Sequence, residues 1–281
     1  MTEILSLTFM QNALLAGLLA SVVCGTIGSL VVVNRQVFLA GGVAHSAYGG
    51  VGLAFFLGLP VLPTTIAFTL AVALIMGTVA LRRGERTDTI IGVMWASGMA
   101  LGVLLMDITP GYNVDLMSYL FGSILAVSRA DLLVMAGLDA VVVVVVLLAY
   151  RHLLAFSFDR DFAQSRGLPV AGLHFLVLVL TALSVVMIIR IVGLILVIAL
   201  LTIPSAMAEQ RAHSLAGMMV RSCLWSAIFC TVGLVVSYGL NLTSGASIIA
   251  VASLSFFANF LRKTITRALP STIEPHQEAE T

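Results

Sequence analysis

Apolar stretches of membrane-crossing length follow one another almost without a break from residue 8 to residue 261. A helix needs roughly 20 apolar residues to cross the hydrocarbon of a bilayer. The pattern predicts nine crossings, at 8–33, 37–58, 61–81, 88–106, 130–150, 170–189, 191–208, 215–238 and 243–261. The chain is therefore expected to be an all-α polytopic membrane protein with about eight to nine transmembrane helices. Its composition agrees: 60% of residues are hydrophobic and 10% are charged. The segment 191–208 is short and has Pro204 near its end, so a broken or partly re-entrant helix is expected there.

Charge sets the orientation. With the N-terminus outside, one face collects Arg35, Arg82, Arg83, Arg86, Arg151, Arg160, Arg166, Arg211, Arg221, Arg262, Lys263 and Arg267. The other face keeps only Arg129 and Arg190. Positive loops stay in the cytoplasm. An outside N-terminus, a cytoplasmic C-terminus and an odd number of crossings follow. The N-terminal string MTEILSLTF is acidic and does not read as a cleaved signal peptide. Residues 1–268 form one transmembrane domain, and the polar tail 269–281 is expected to be disordered. A net charge of +1 with no basic cluster gives no footing for nucleic acid. Cys24, Cys223 and Cys230 lie in apolar runs without metal-ligand spacing and read as packing residues.

Within this oily chain, the string RQVFLAGGVAHSAYGGVGLAFFLGLP (Arg35–Pro60) carries one imidazole, His45, among small residues. Small residues let helix backbones approach closely in a membrane. An ionisable group at that depth is costly and marks a functional candidate. Facing a close-packed passage, His45 would be a stepping stone for a soft or borderline metal cation; the alternative is a hydrogen-bonded histidine that locks helix packing. Asp115 and Asp107 fall near the outer mouth, where negative charge would concentrate a cation; the alternatives are solvated loop residues or contacts for an external binding protein. Asp139 lies inside the fifth segment and must be paired, protonated or facing water. Glu209 and His213 are four apart and would share a helical face. The methionines show no paired spacing.

Two connections stand out. The outer stretch Asp107–Asp131 holds an apolar piece too short to span, expected to lie at the surface. The inner stretch Ser157–Val170, SFDRDFAQSRGLPV, has the punctuation of a short helix: Asp159 to cap its start, Gly167 and Pro169 to stop it. A short cytoplasmic helix between two spans is a good shape for docking a soluble partner.

Several ordered motifs together resemble the membrane subunit of bacterial ABC importers for zinc, manganese or iron, over nearly all of residues 8–262. They are FLAGGVAHSAYGGVGLAFFLGLP, IIGVMWASGMALGVLL from Ile90, VDLMSYLFGSILAV from Val114, FDRDFAQSRGLPV, VGLILVIALLTIPSAMA from Val192 and SYGLNLTSGASIIAV from Ser237. The resemblance implies a homodimeric permease in the bacterial inner membrane, with a central translocation path. It implies two copies of a cytoplasmic ABC ATPase and an extracytoplasmic metal-binding protein as partners, beside membrane lipid. Asp159, Asp161, Arg166 and Gly167 would form the segment that meets the ATPase. His45, Asp115 and Asp139 are the candidate metal residues. The chain itself would not be an enzyme: it has no GxxxxGK[ST] phosphate loop, and no cofactor is expected.

Two departures from the family pattern bear on the ion. Many members carry an aspartate one turn before the helix-two histidine; here Gly42 takes that place. Losing that carboxylate tilts the expected ion toward zinc, with manganese or iron(II) as alternatives. Ser123 replaces an acidic residue found after the YLFG string in some relatives. A secondary transporter or channel working without an ATPase is the competing reading, but it would show intramembrane acids and inverted repeats. No clear repeat is present. A metalloprotease would need an HExxH-like pair, which His45 lacks.

Overall fold

A computed structural model of the protein describes residues 8–81, 87–110, 122, 124, 127–194 and 197–268. Among these residues there are ten α-helices and no strand. In chain order they are α1 (Thr8–Val33), α2 (Val37–Leu57), α3 (Val61–Leu81), α4 (Thr87–Asp107), α5 (Arg129–Phe158), α6 (Arg160–Ser165), α7 (Val170–Val192), α8 (Val197–Glu209), α9 (Leu215–Leu240) and α10 (Ser244–Ala268). All but α6 and α8 are long and apolar enough to cross a membrane.

Polar residues punctuate the helix ends. Ser128 caps α5 by accepting from the Asp131 amide, and the Asp131 carboxylate accepts from the Ser128 amide in return. Ser214 caps α9 by accepting from the Gly217 amide. Asn241, with φ 53°, ends that helix in the left-handed region that asparagine tolerates.

Helix α1 is the hub, packing on α5, α7, α8 and α9. Small residues (Ala13, Ala16, Ala20, Ser21) line its buried face and let neighbours close in. Helix α2 is the second hub, set among α3, α4, α7 and α8. Its approach to α4 is closest where Gly52 meets Gly102: a Cβ on Gly52 would lie 2.4 Å from the Gly102 carbonyl oxygen. Only glycine fits two backbones at that separation. Because membrane helices gain no hydrophobic driving force against lipid tails, such packing is what holds them together.

Hydrogen bonds between helices fix the two ends of the bundle. Asn12 of α1 donates to the Val127 carbonyl just before α5, while Asn34 just past α1 donates to Ser157 near the end of α5. So α1 and α5 run parallel. At the Asn34 end also lie α6, the start of α9, where Tyr150 Oη accepts from the Ala216 amide, and the end of α8. Gln210, just past α8, accepts from Asn259 of α10. Among the described residues, Arg35, Arg151, Arg160, Arg166, Arg211 and Arg262 lie on segments at this end, and Arg129 starts α5 at the other.

Segment 191–208 differs from its neighbours. Helix α7 runs two residues past Arg190, ends at Gly193 with φ 85°, and α8 starts only at Val197. With 13 residues, α8 is about 20 Å long, short of the roughly 30 Å hydrocarbon. Yet α7 starts at the Asn34 end and α9 starts there too, so residues 193–209 must return the chain to it. The passage is a half-length helix with an unwound lead. Gly193 and Leu194 are buried in protein, the one setting in which non-helical backbone is tolerated at membrane depth. The expected outer surface helix falls in Asp107–Asp131, most of which lies outside the described residues, as does the tail 269–281.

Candidate functional site

His45 sits near the middle of α2 and is 9% exposed. Its imidazole stacks on the indole of Trp95 in α4, with ring centroids 4.4 Å apart and planes 13° from parallel. The next residue, Ser46, donates to the Met94 carbonyl at 3.4 Å, which pins the two helices at this level. His45 Nδ1 is buried and has no hydrogen-bond partner.

The missing carboxylate is placed differently from the sequence-based expectation. The position four residues before His45 is Gly41, not Gly42; both lie within one turn of His45 on its side of the helix. Around Gly41 a Cβ would meet only Ile198 of α8, at 3.0 Å. Gly42 packs on Met76 of α3 and on Ile91 of α4, one turn before the Trp95 that His45 stacks on.

The other candidates do not join His45. Asp139 is 6% exposed on α5, and neither carboxylate oxygen has a hydrogen-bond partner. It lies within electrostatic reach of Cys24 on α1 and Cys223 on α9. Helix α5 packs on α1, α6 and α7, whereas His45 faces α4, so the two side chains belong to different walls. Asp107 is exposed at the end of α4 and within electrostatic reach of the buried Tyr48 phenol. Asp115 lies outside the described residues, as does Ser123. Among the described residues, no group of three or more His, Cys, Asp or Glu side chains could hold a metal ion. Glu209 and His213 do not form a helical pair: Glu209 ends α8 and His213 lies in the turn beyond it.

Helix α6 has the ends read from sequence. Asp159 caps it by accepting from the Phe162 amide at 2.8 Å. It ends at Arg166, with Gly167 at φ 78° and the Leu168 amide returning to the Ala163 carbonyl at 3.0 Å. Only Ala163 of α6 is buried. Asp161 and Arg166 are exposed, the Arg166 guanidinium lying 5.8 Å above the Phe162 ring. Phe158 and Phe162 are 68% and 55% exposed. This aromatic pair escapes a reading based on charge alone, although aromatics beside a short amphipathic helix could have flagged it.

The ABC 3 transport family matches residues 6–263. An uncharacterized membrane protein of Synechocystis is 50% identical over 91% of both chains. The manganese transport system membrane protein MntC of Halalkalibacterium halodurans is 33% identical over 94% of this chain and 92% of its own. Among solved structures, PsaBC from Streptococcus pneumoniae in complex with Fab superposes with a TM-score of 0.84 at 32% identity, covering 92% of this chain and 93% of that one. The fold, the length matched and these relatives agree: the chain belongs to the ABC 3 transport family and is a multi-pass permease subunit of an ABC metal importer in the bacterial inner membrane.

Proposed function

We propose that this permease carries zinc inward as one half of a homodimer, with His45 and its symmetry mate offering a brief coordination site along the path. The observation that carries the reading is the buried, unpartnered Nδ1 of His45, held by Trp95 at the middle of the bundle. Imidazole without a carboxylate on its own helix face favours a borderline ion such as zinc over harder manganese. The N-terminus is outside and the arginine-rich end is cytoplasmic. An extracytoplasmic binding protein delivers the ion to the outer mouth, where Asp107 and Asp115 concentrate cations. A cytoplasmic ABC ATPase docks on α6 through Phe162, Asp161 and Arg166, with Asp159 and Gly167 shaping the helix, and supplies all ATP hydrolysis. Asp139, on another wall, stays outside the ligand set.

A second reading, manganese, is favoured by the names of relatives such as MntC. Metal-stimulated ATP hydrolysis by the reconstituted complex separates the two. Zinc loaded on the binding protein should stimulate most; stronger stimulation by manganese or iron(II) would overturn the zinc assignment. Stimulation or uptake that persists without any ATPase would overturn the importer mechanism in favour of a secondary transporter.

A further inference from the structure

Three polar residues, Asn34, Arg35 and Gln36, separate α1 from the helix that carries His45. The functional reading above leaves them unused, yet Asn34 and Gln36 are buried. Asn34 Nδ2 donates to Ser157 Oγ and to the Leu30 carbonyl, each at 2.9 Å. Its Oδ1 accepts from the Arg160 guanidinium at 3.5 Å. Ser157 closes α5 and Arg160 opens α6, so one amide clasps both sides of that corner. Arg160 is also seated over the buried Phe156 ring, 4.7 Å from its centroid.

Arg35 follows at φ 56°, a left-handed conformation that costs a non-glycine residue energy. That corner turns the Gln36 amide back to the Val31 carbonyl at 2.8 Å. Gln36 then starts α2, and its carbonyl accepts from the Ala40 amide at 2.8 Å. The Gln36 side-chain nitrogen lies 3.1 Å from His174 Nδ1 on α7. His174 is buried and within reach of the Gly77 backbone on α3. Gln36 Oε1 remains buried without a hydrogen-bond partner. Apolar side chains would fill the same space without orphaned atoms, so stability alone does not account for this pair.

We infer that the Asn34–Gln36 turn is the mechanical link between α6 and His45, an inference that rests on α6 being the ATPase-docking helix. Displacement of α6 draws Asn34 through Arg160 and Ser157. The strained corner at Arg35 passes that movement to Gln36 and so to the start of α2. The Gln36–His174 bond gives α2 a fulcrum on α7. These are positioning residues; none of them touches the ion.

The test is zinc uptake per ATP hydrolysed by the permease–ATPase complex in proteoliposomes, for Asn34→Ala, Arg35→Gly and Gln36→Leu. Each should keep the ATPase bound and hydrolysing while uptake per ATP falls about tenfold. Asn34→Asp keeps the acceptor for Arg160 but loses the donor to Ser157 and the Leu30 carbonyl, so its uptake per ATP should lie between those of Asn34→Ala and the unaltered permease. Should Asn34→Ala not reach the membrane, the other two variants carry the measurement. An unchanged ratio in the variants that assemble would overturn the link. Phe162→Ala, run alongside, tests the docking reading separately: an ATPase that still binds and is stimulated there would sink that reading, whatever the Asn34 ratio.

Discussion

The imidazole of His45 lies flat on the indole of Trp95, 4.4 Å between ring centroids, while its Nδ1 bonds to nothing. The stack fixes the tilt of the ring. An aromatic pair of this kind contributes about 0.5–1.5 kcal/mol beyond its area burial. Trp95→Leu should therefore lower zinc uptake about two- to tenfold while the complex still assembles. Uptake at the wild-type level would show that ring orientation does not matter.

Gly41 marks where a same-face carboxylate would stand. Gly41→Asp combined with Ile198→Ala, which clears the contact at 3.0 Å, should shift metal preference from zinc toward manganese. Competition between the two ions for uptake reads this directly. The Gly42→Asp variant should instead disturb packing against Ile91 and Met76 and lower the yield of assembled complex.

Asp139 tests the opposite expectation. A buried carboxylate without partners is costly, and an amide of the same shape is cheaper to bury. Asp139→Asn should raise the melting temperature of the purified permease in detergent and leave uptake within about twofold, too small a change for a lost path ligand. A collapse of uptake in a fully assembled complex would bring Asp139 into the path.

The bundle was legible in the chain because membrane helices announce themselves by apolar length, and because Asp159 and the Gly167–Pro169 pair are local stop and start signals. The short segment 191–208 pointed to a broken helix, but the break lies at Gly193, and Pro204 sits inside the intact α8. The partners of the site were not legible for a physical reason: they meet through tertiary contact. Gln36 and His174 are 138 positions apart, and no periodicity reports such a pair. Likewise, nothing in the run around Asp139 says that its wall is not the wall of His45. The turn-by-turn count that selects Gly41 over Gly42 was available from helical spacing, but it became meaningful only once Ile198 was seen opposite.

Close packing sets the fourth expectation. At Gly52, a methyl group would press on the Gly102 carbonyl oxygen. Gly52→Ala should destabilise the permease by about 1–3 kcal/mol. A lowered melting temperature in detergent would register this, and an unchanged one would mean that α2 and α4 can part without cost.

The most direct check is radioactive zinc uptake by proteoliposomes holding the complete importer with His45→Ala in the permease. ATPase and binding protein should still associate, and zinc should no longer accumulate. Accumulation at the wild-type rate by that variant would contradict a path built on His45.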